Sequence, residues 1–155
     1  MRIIVLCAAC VLAAGGVWGA ADEAVVKRVA AGGLEPSLKP LAPERAGAYG
    51  KGFTRQGEEY VCDNGADGTL QRGAVWSIEL NQKAAAPVVA SAWAKAEGVE
   101  GAPNPDFSLY IDLVYADGTP LWGQSAPFET EGDAGSGWHR REVVVTPDKP
   151  IRRLS

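Results

Sequence analysis

The side chains able to carry covalent or proton-transfer chemistry are few. The chain has 155 residues and a single histidine, His139. Sites built from two or more His ligands, or from a His–His acid/base pair, are therefore excluded. Glu129, Glu131 and Asp133 stand close together, as the two carboxylates of a glycoside-cleaving pair must, but they fall in an acidic, glycine-rich stretch that reads as a solvated loop. Asp63, Asn64 and Asp67 offer oxygen ligands, yet they lack the full Asp-x-Asp-x-Asp-Gly loop and late Glu of a calcium site. Cys62 lies in a strand-like run and reads as a small buried hydrophobe. No nucleophile–base constellation can be assembled, so the chain is read as non-catalytic. What remains is aromatic: Trp93, Tyr110 and Trp122, with Asp112 and Gln124 at strand spacing beside them. Such residues make a flat stacking surface edged by planar hydrogen-bonding groups. Trp93 and Trp122 suit core packing as well, as most strand tryptophans do. Trp76, in step with Ala74, Ile78 and Leu80, reads as core, and Trp138 suits either a core plug or a loop-tip contact.

Short strands must position these groups. Over 107–115, Phe107, Leu109, Ile111, Leu113 and Tyr115 form one apolar face, and Ser108, Tyr110, Asp112 and Val114 the other. Residues 72–80 alternate in the same way, and 87–95 less sharply. A tight turn at 116–119, with Gly118 free to take a positive φ, leads to a short strand over 121–125. A further strand covers 138–146, and 151–155 reads as the opening of another, with closing strands expected to be missing beyond it. Arg140-Arg141 and Arg152-Arg153 send their members to opposite faces, so they make no basic patch. Helical patterns of 10–15 residues between strands are missing, which argues against a parallel α/β sheet or a bundle. The expected fold is all-β: an antiparallel β-sandwich, incomplete at its C-terminal end.

Composition agrees: 46% of residues are apolar and 22% charged, with a net charge of −4. That suits one soluble domain, and a mildly acidic chain is poorly suited to gripping nucleic acid.

The first residues read as an address. Arg2 precedes an apolar run over 3–17, and Gly19 and Ala21 supply the small residues of a cleavage site. Residues 1–21 are therefore expected to be a secretory signal peptide, giving a secreted or periplasmic product. The run is too short and too glycine-interrupted for a membrane span, and a lipid anchor through Cys10 fits less well. Cleavage would leave Cys62 as the only thiol, without an internal disulfide. Residues 22–48, rich in Ala, Gly and Pro, read as a lead-in or linker, with a short helical stretch over 23–31. The sandwich spans 49–155.

The stretch 108–124 (SLYIDLVYADGTPLWGQ), the later stretch 137–151 (GWHRREVVVTPDKPI) and the strand 91–98 (SAWAKAEG) occur in an order that resembles the jelly-roll carbohydrate-binding modules of families four and nine, within the galactose-binding-like superfamily. The resemblance covers about residues 49–155. It implies a jelly roll that binds polysaccharide or oligosaccharide with no cofactor required, and the face that alternation assigns to Trp93, Tyr110, Asp112, Trp122 and Gln124 is the expected sugar platform. It also implies a catalytic domain, such as a glycoside hydrolase, elsewhere in the full-length protein. The family's opening Asn-Gly-x-Phe-Glu strand is not found before Tyr49, and its closing Trp-Phe-Asp-Asp run would lie beyond Ser155. Those ends help to hold a structural calcium in many members, and this chain offers no ligand set for it. The competing expectation is a structural or protein-interaction sandwich without a sugar site.

Overall fold

The computed structural model describes residues 45–99, 102–130 and 137–155, together with the backbone of three strands further towards the N-terminus. The expected helical stretch over 23–31 and the acidic residues Glu131 and Asp133 lie outside the described residues. The strands are β1 (Arg2–Leu6), β2 (Val11–Leu12), β3 (Pro40–Leu41), β4 (Gly47–Gly50), β5 (Thr54–Gln56), β6 (Glu59–Asp63), β7 (Arg72–Val75), β8 (Ile78–Glu79), β9 (Val88–Glu97), β10 (Ser108–Tyr115), β11 (Pro120–Pro127), β12 (His139–Val145) and β13 (Ile151–Leu154). No helix occurs among the described residues, and none there is long and apolar enough to cross a membrane.

The strands form two principal antiparallel sheets. One has the order β12-β9-β1-β6-β5 and the other β11-β10-β13-β8. Alternation decides which face of each is buried. Val88 and Ala90 of β9 and Val143 and Val145 of β12 meet Ile111, Leu113 and Tyr115 of β10 and Ile151 and Leu154 of β13 in one core cluster. A second cluster continues it, with Cys62 of β6, Ala92, Ala94 and Ala96 of β9, and Phe107 stacked at a tilt on Phe128, their rings 5.2 Å apart. The described residues thus form an all-β, antiparallel sandwich with its core between the two sheets.

One element differs from the sequence reading. The single strand expected over 72–80 is two short ones: β7 pairs with β4, whereas β8 pairs with β13. The chain changes partner at Trp76-Ser77. The ring of Trp76 packs edge-on against Tyr60, with centroids 5.1 Å apart. Beyond β8, the amides of Leu80 and Asn81 both donate to the Arg152 carbonyl, and Asn81 takes a φ of 49°. The strand expected to open at 151 is β13, which has a neighbour on each side, β10 and β8.

The β10–β11 turn closes as expected. Gly118 has a φ of 87°, and its amide donates to the Tyr115 carbonyl at 3.0 Å. Asp117 Oδ1 accepts from the Thr119 amide at 2.9 Å and from its hydroxyl at 2.6 Å, and Oδ2 receives Lys149 Nζ at 2.9 Å. Lys149 thereby ties this turn to the one between β12 and β13. The Thr119 hydrogen bonds first, and then Lys149, hold the Asp117 carboxyl well below the usual carboxylate range.

Leu113 is 1% exposed within the core. Leu113→Ala should therefore lower the unfolding free energy by about 2–5 kcal/mol in urea titrations, and a loss below ~1 kcal/mol would contradict the sandwich core. A carboxyl with a depressed folded-state pKa stabilises the fold above its unfolded value and loses that contribution as pH falls through the folded one. The melting-temperature deficit of Asp117→Asn should accordingly be constant near neutral pH. It should shrink only below the unperturbed value of 3.8. A deficit that disappears between pH 7 and pH 5 would place the effect elsewhere.

Candidate functional site

Burial of Ile111, Leu113 and Tyr115, with Leu109 half-buried beside them, turns Tyr110 and Asp112 of β10 outward, whereas Val114 on the same face is buried at 8% exposure. Tyr110 is 48% exposed, and Asp112 is half-buried on the same face. Beside them runs β11, and its pairing with β10 is irregular. Ile111 stands opposite Gln124 and Leu113 opposite Leu121, so Trp122 and Gly123 together face Asp112. This is a β-bulge, two residues against one. Gly123 makes it possible with a φ of 78°, a conformation that L side chains rarely adopt. Asp112 fastens it, because its Oδ1 accepts the Gly123 amide at 3.0 Å. On the other side of β10, the Asp112 and Ser155 backbones exchange two hydrogen bonds of 2.8 Å. The backbone of Asp112 is thus tied to Ser155 on one side, while its carboxylate bonds the bulge of β11 on the other. Trp122, 58% exposed, is the most exposed large hydrophobic residue among the described residues. Tyr110 extends toward the bulge, with its hydroxyl 3.6 Å from where a Cβ on Gly123 would stand.

Tyr110, Asp112 and Trp122 thus share the outer face of the four-stranded sheet. The other two expected site residues are placed elsewhere. Trp93 belongs to β9 in the opposite sheet, where it alternates with the buried Ala92 and Ala94 and stands across from Arg140. It is 39% exposed, but on the outer surface of that other sheet. Gln124 follows the bulge, which shifts the alternation by one residue. It pairs with Ile111, on the core-facing side of β10, and its Nε2 donates to the Trp122 carbonyl at 3.1 Å. Sequence spacing of two had put Trp122 and Gln124 on one face, and the extra residue separates them.

The sequence reading passed over Arg153. It expected Arg152 and Arg153 to point to opposite faces, yet both are exposed between buried Ile151 and Leu154. A register shift where Val114 meets Arg153 and Tyr115 meets Ile151 leaves Arg152 as the extra residue. Arg153 stands opposite Val114 in register, beside the Asp112 row. The only sequence signal for this was the spacing of the two apolar residues that bracket the pair.

The alternative chemistries find little support in the geometry. Cys62 is 3% exposed, and burial pushes its thiol pKa up, with Arg72 opposing weakly. Cys62 and His139 lie on β6 and β12, with β9 and β1 between them, about 14 Å apart at the usual strand spacing. Glu129 is bound to Arg141, which also donates to the Pro127 carbonyl at 2.8 Å. Asp63 and Asp67 spend oxygens on their own loop, accepting the amides of Gly65 and Thr69, while Asn64 donates to the Leu70 carbonyl. No group of three or more His, Cys, Asp or Glu side chains able to hold a metal ion occurs among the described residues.

Comparison with protein-family models, with curated proteins and with solved structures finds no match. The functional reading therefore rests on the residues themselves.

Gly123→Ala would force a side chain onto a left-handed backbone, a cost of about 1–2 kcal/mol. Urea denaturation should show that loss, whereas an unchanged or higher stability would contradict the bulge geometry.

Proposed function

We propose that the chain is a secreted, non-catalytic carbohydrate-binding module of jelly-roll type, which grips polysaccharide on the outer face of the β8-β13-β10-β11 sheet. The observation that supports this most is the exposure of Trp122 and Tyr110 on one face, with Asp112 of β10 hydrogen-bonded to the β11 bulge beside them. Pyranose rings present C–H faces that stack on aromatic rings, and their hydroxyls pair with planar carboxylate and guanidinium groups. Trp122 and Tyr110 supply the rings in this reading. The Asp112 oxygen not engaged with Gly123 accepts from a sugar hydroxyl, and Arg153 donates from the neighbouring strand. Trp122 and Tyr110 remain 58% and 48% exposed, so their rings are accessible to a ligand.

The same reading includes a leader cut after Ala21 and a partner catalytic domain elsewhere in the full-length protein. Both proposals rest on the sequence pattern and on the family resemblance.

Binding by stacking and a few hydrogen bonds lies in the micromolar to millimolar range, of order −4 to −8 kcal/mol. In affinity electrophoresis through soluble β-glucans, xylans and mannans, at least one polymer should retard the protein. Trp122→Ala should abolish that retardation while leaving the melting temperature nearly unchanged, because an exposed ring contributes little to the core. Retardation by no polymer, or retardation that survives Trp122→Ala, would leave an interaction sandwich without a sugar site as the better account.

A further inference from the structure

The middle strand of the five-stranded sheet is β1, RIIVL, five residues long and drawn from the segment that the sequence assigns to a removable leader. It pairs antiparallel with β6 along Arg2↔Asp63 to Leu6↔Glu59, and with β9 along Arg2↔Glu97 to Leu6↔Trp93. Several residues flanking it belong to the core: Val61 and Cys62 on β6 are 4% and 3% exposed, and Ala94 and Ala96 on β9 are 0% and 4%. Removing β1 would leave β6 with only β5 beside it, and β9 with only β12. Two facing strand edges would then line a gap one strand wide, about 10 Å across from β6 to β9. Backbone groups unpaired at such buried positions are costly, and an open strand edge is a template for another strand.

We propose that β6 and β9 form a strand-acceptor slot. Arg2–Leu6 fills it while the N-terminus is attached. Once the leader is cut, the slot takes an extended, apolar, β-branched segment of another polypeptide, antiparallel to both walls. This is strand addition from two sides at once, so the occupant gains the hydrogen bonds of two ladders from one short segment. The second half of the proposal rests on the leader reading. It is independent of sugar binding, which is measured by retardation in polysaccharide gels.

The test starts from the full chain, with a protease site inserted between Ala21 and Asp22. After cutting under native conditions, the released N-terminal piece should co-elute with the remainder in size exclusion. A labelled synthetic peptide of residues 1–12, with Cys7→Ser and Cys10→Ser, should then exchange into the complex, and the same peptide carrying Ile4→Pro should not. Cys62 in the core beside the slot reports occupancy: its labelling by a thiol reagent should be at least ~10-fold slower with the peptide bound than after the peptide is chased away. Immediate loss of the cut piece with Cys62 still shielded, or equal uptake of the Pro peptide, would overturn the slot.

Discussion

Leu109, Ile111, Leu113 and Tyr115 leave β10 toward the interior, where Ile111, Leu113 and Tyr115 join one cluster with Val88, Ala90, Val143, Val145, Ile151 and Leu154, and Leu109 packs against it. This burial is the constraint on which the rest depends. Hydrophobic burial of one face stabilises the sandwich and also fixes, through the two-residue period of a strand, what the other face presents. Tyr110 and Asp112 point outward because their neighbours point inward. The backbone of the solvent-facing row is therefore fixed by the core beneath it, although its exposed side chains keep their own rotamer freedom.

The bulge at Trp122-Gly123 adjusts that row. It adds one residue to β11, increases the local twist, and places a large ring where regular pairing would have placed a smaller step. Its hydrogen bond to Asp112 makes the carboxylate both a structural fastener, through Oδ1, and a candidate ligand contact. Bulges are frequent beside binding sites because they re-aim one side chain without disturbing the buried face. Here Leu121 and Ala126 still pack on the core to either side of the irregularity.

Local patterns in the sequence foretold the parts of the fold that depend on neighbours along the chain. The apolar face of β10, the run of Val88, Ala90, Ala92 and Ala94 on the inner side of β9, and the Gly118 turn were all legible from period and turn chemistry. Features set by pairing at a distance were not. The run 72–80 alternates cleanly, yet its halves pair with β4 and β13, because alternation records burial and says nothing of the partner. Trp93 and Trp122 have similar local settings, but the topology sends one to each sheet. Gln124 and Arg152 moved because a bulge shifts parity by one residue, and glycine at position 123 was the only local hint of the first. Of the five residues expected to form a site, Tyr110, Asp112 and Trp122 share one face, and Arg153 stands in register with Val114 on the neighbouring strand.

The central claim is that the outer face of β10 and β11 is where a carbohydrate docks. Amide and indole NMR shifts of the isotope-labelled protein, titrated with cello-, xylo- and manno-oligosaccharides, address it directly. The account predicts saturable shifts, for at least one sugar, concentrated at Tyr110, Asp112, Gly123, Arg153 and the Trp122 indole N–H, with Trp93 unmoved. Shifts centred on Trp93 and Arg140, or no shift with any of the sugars, would contradict it.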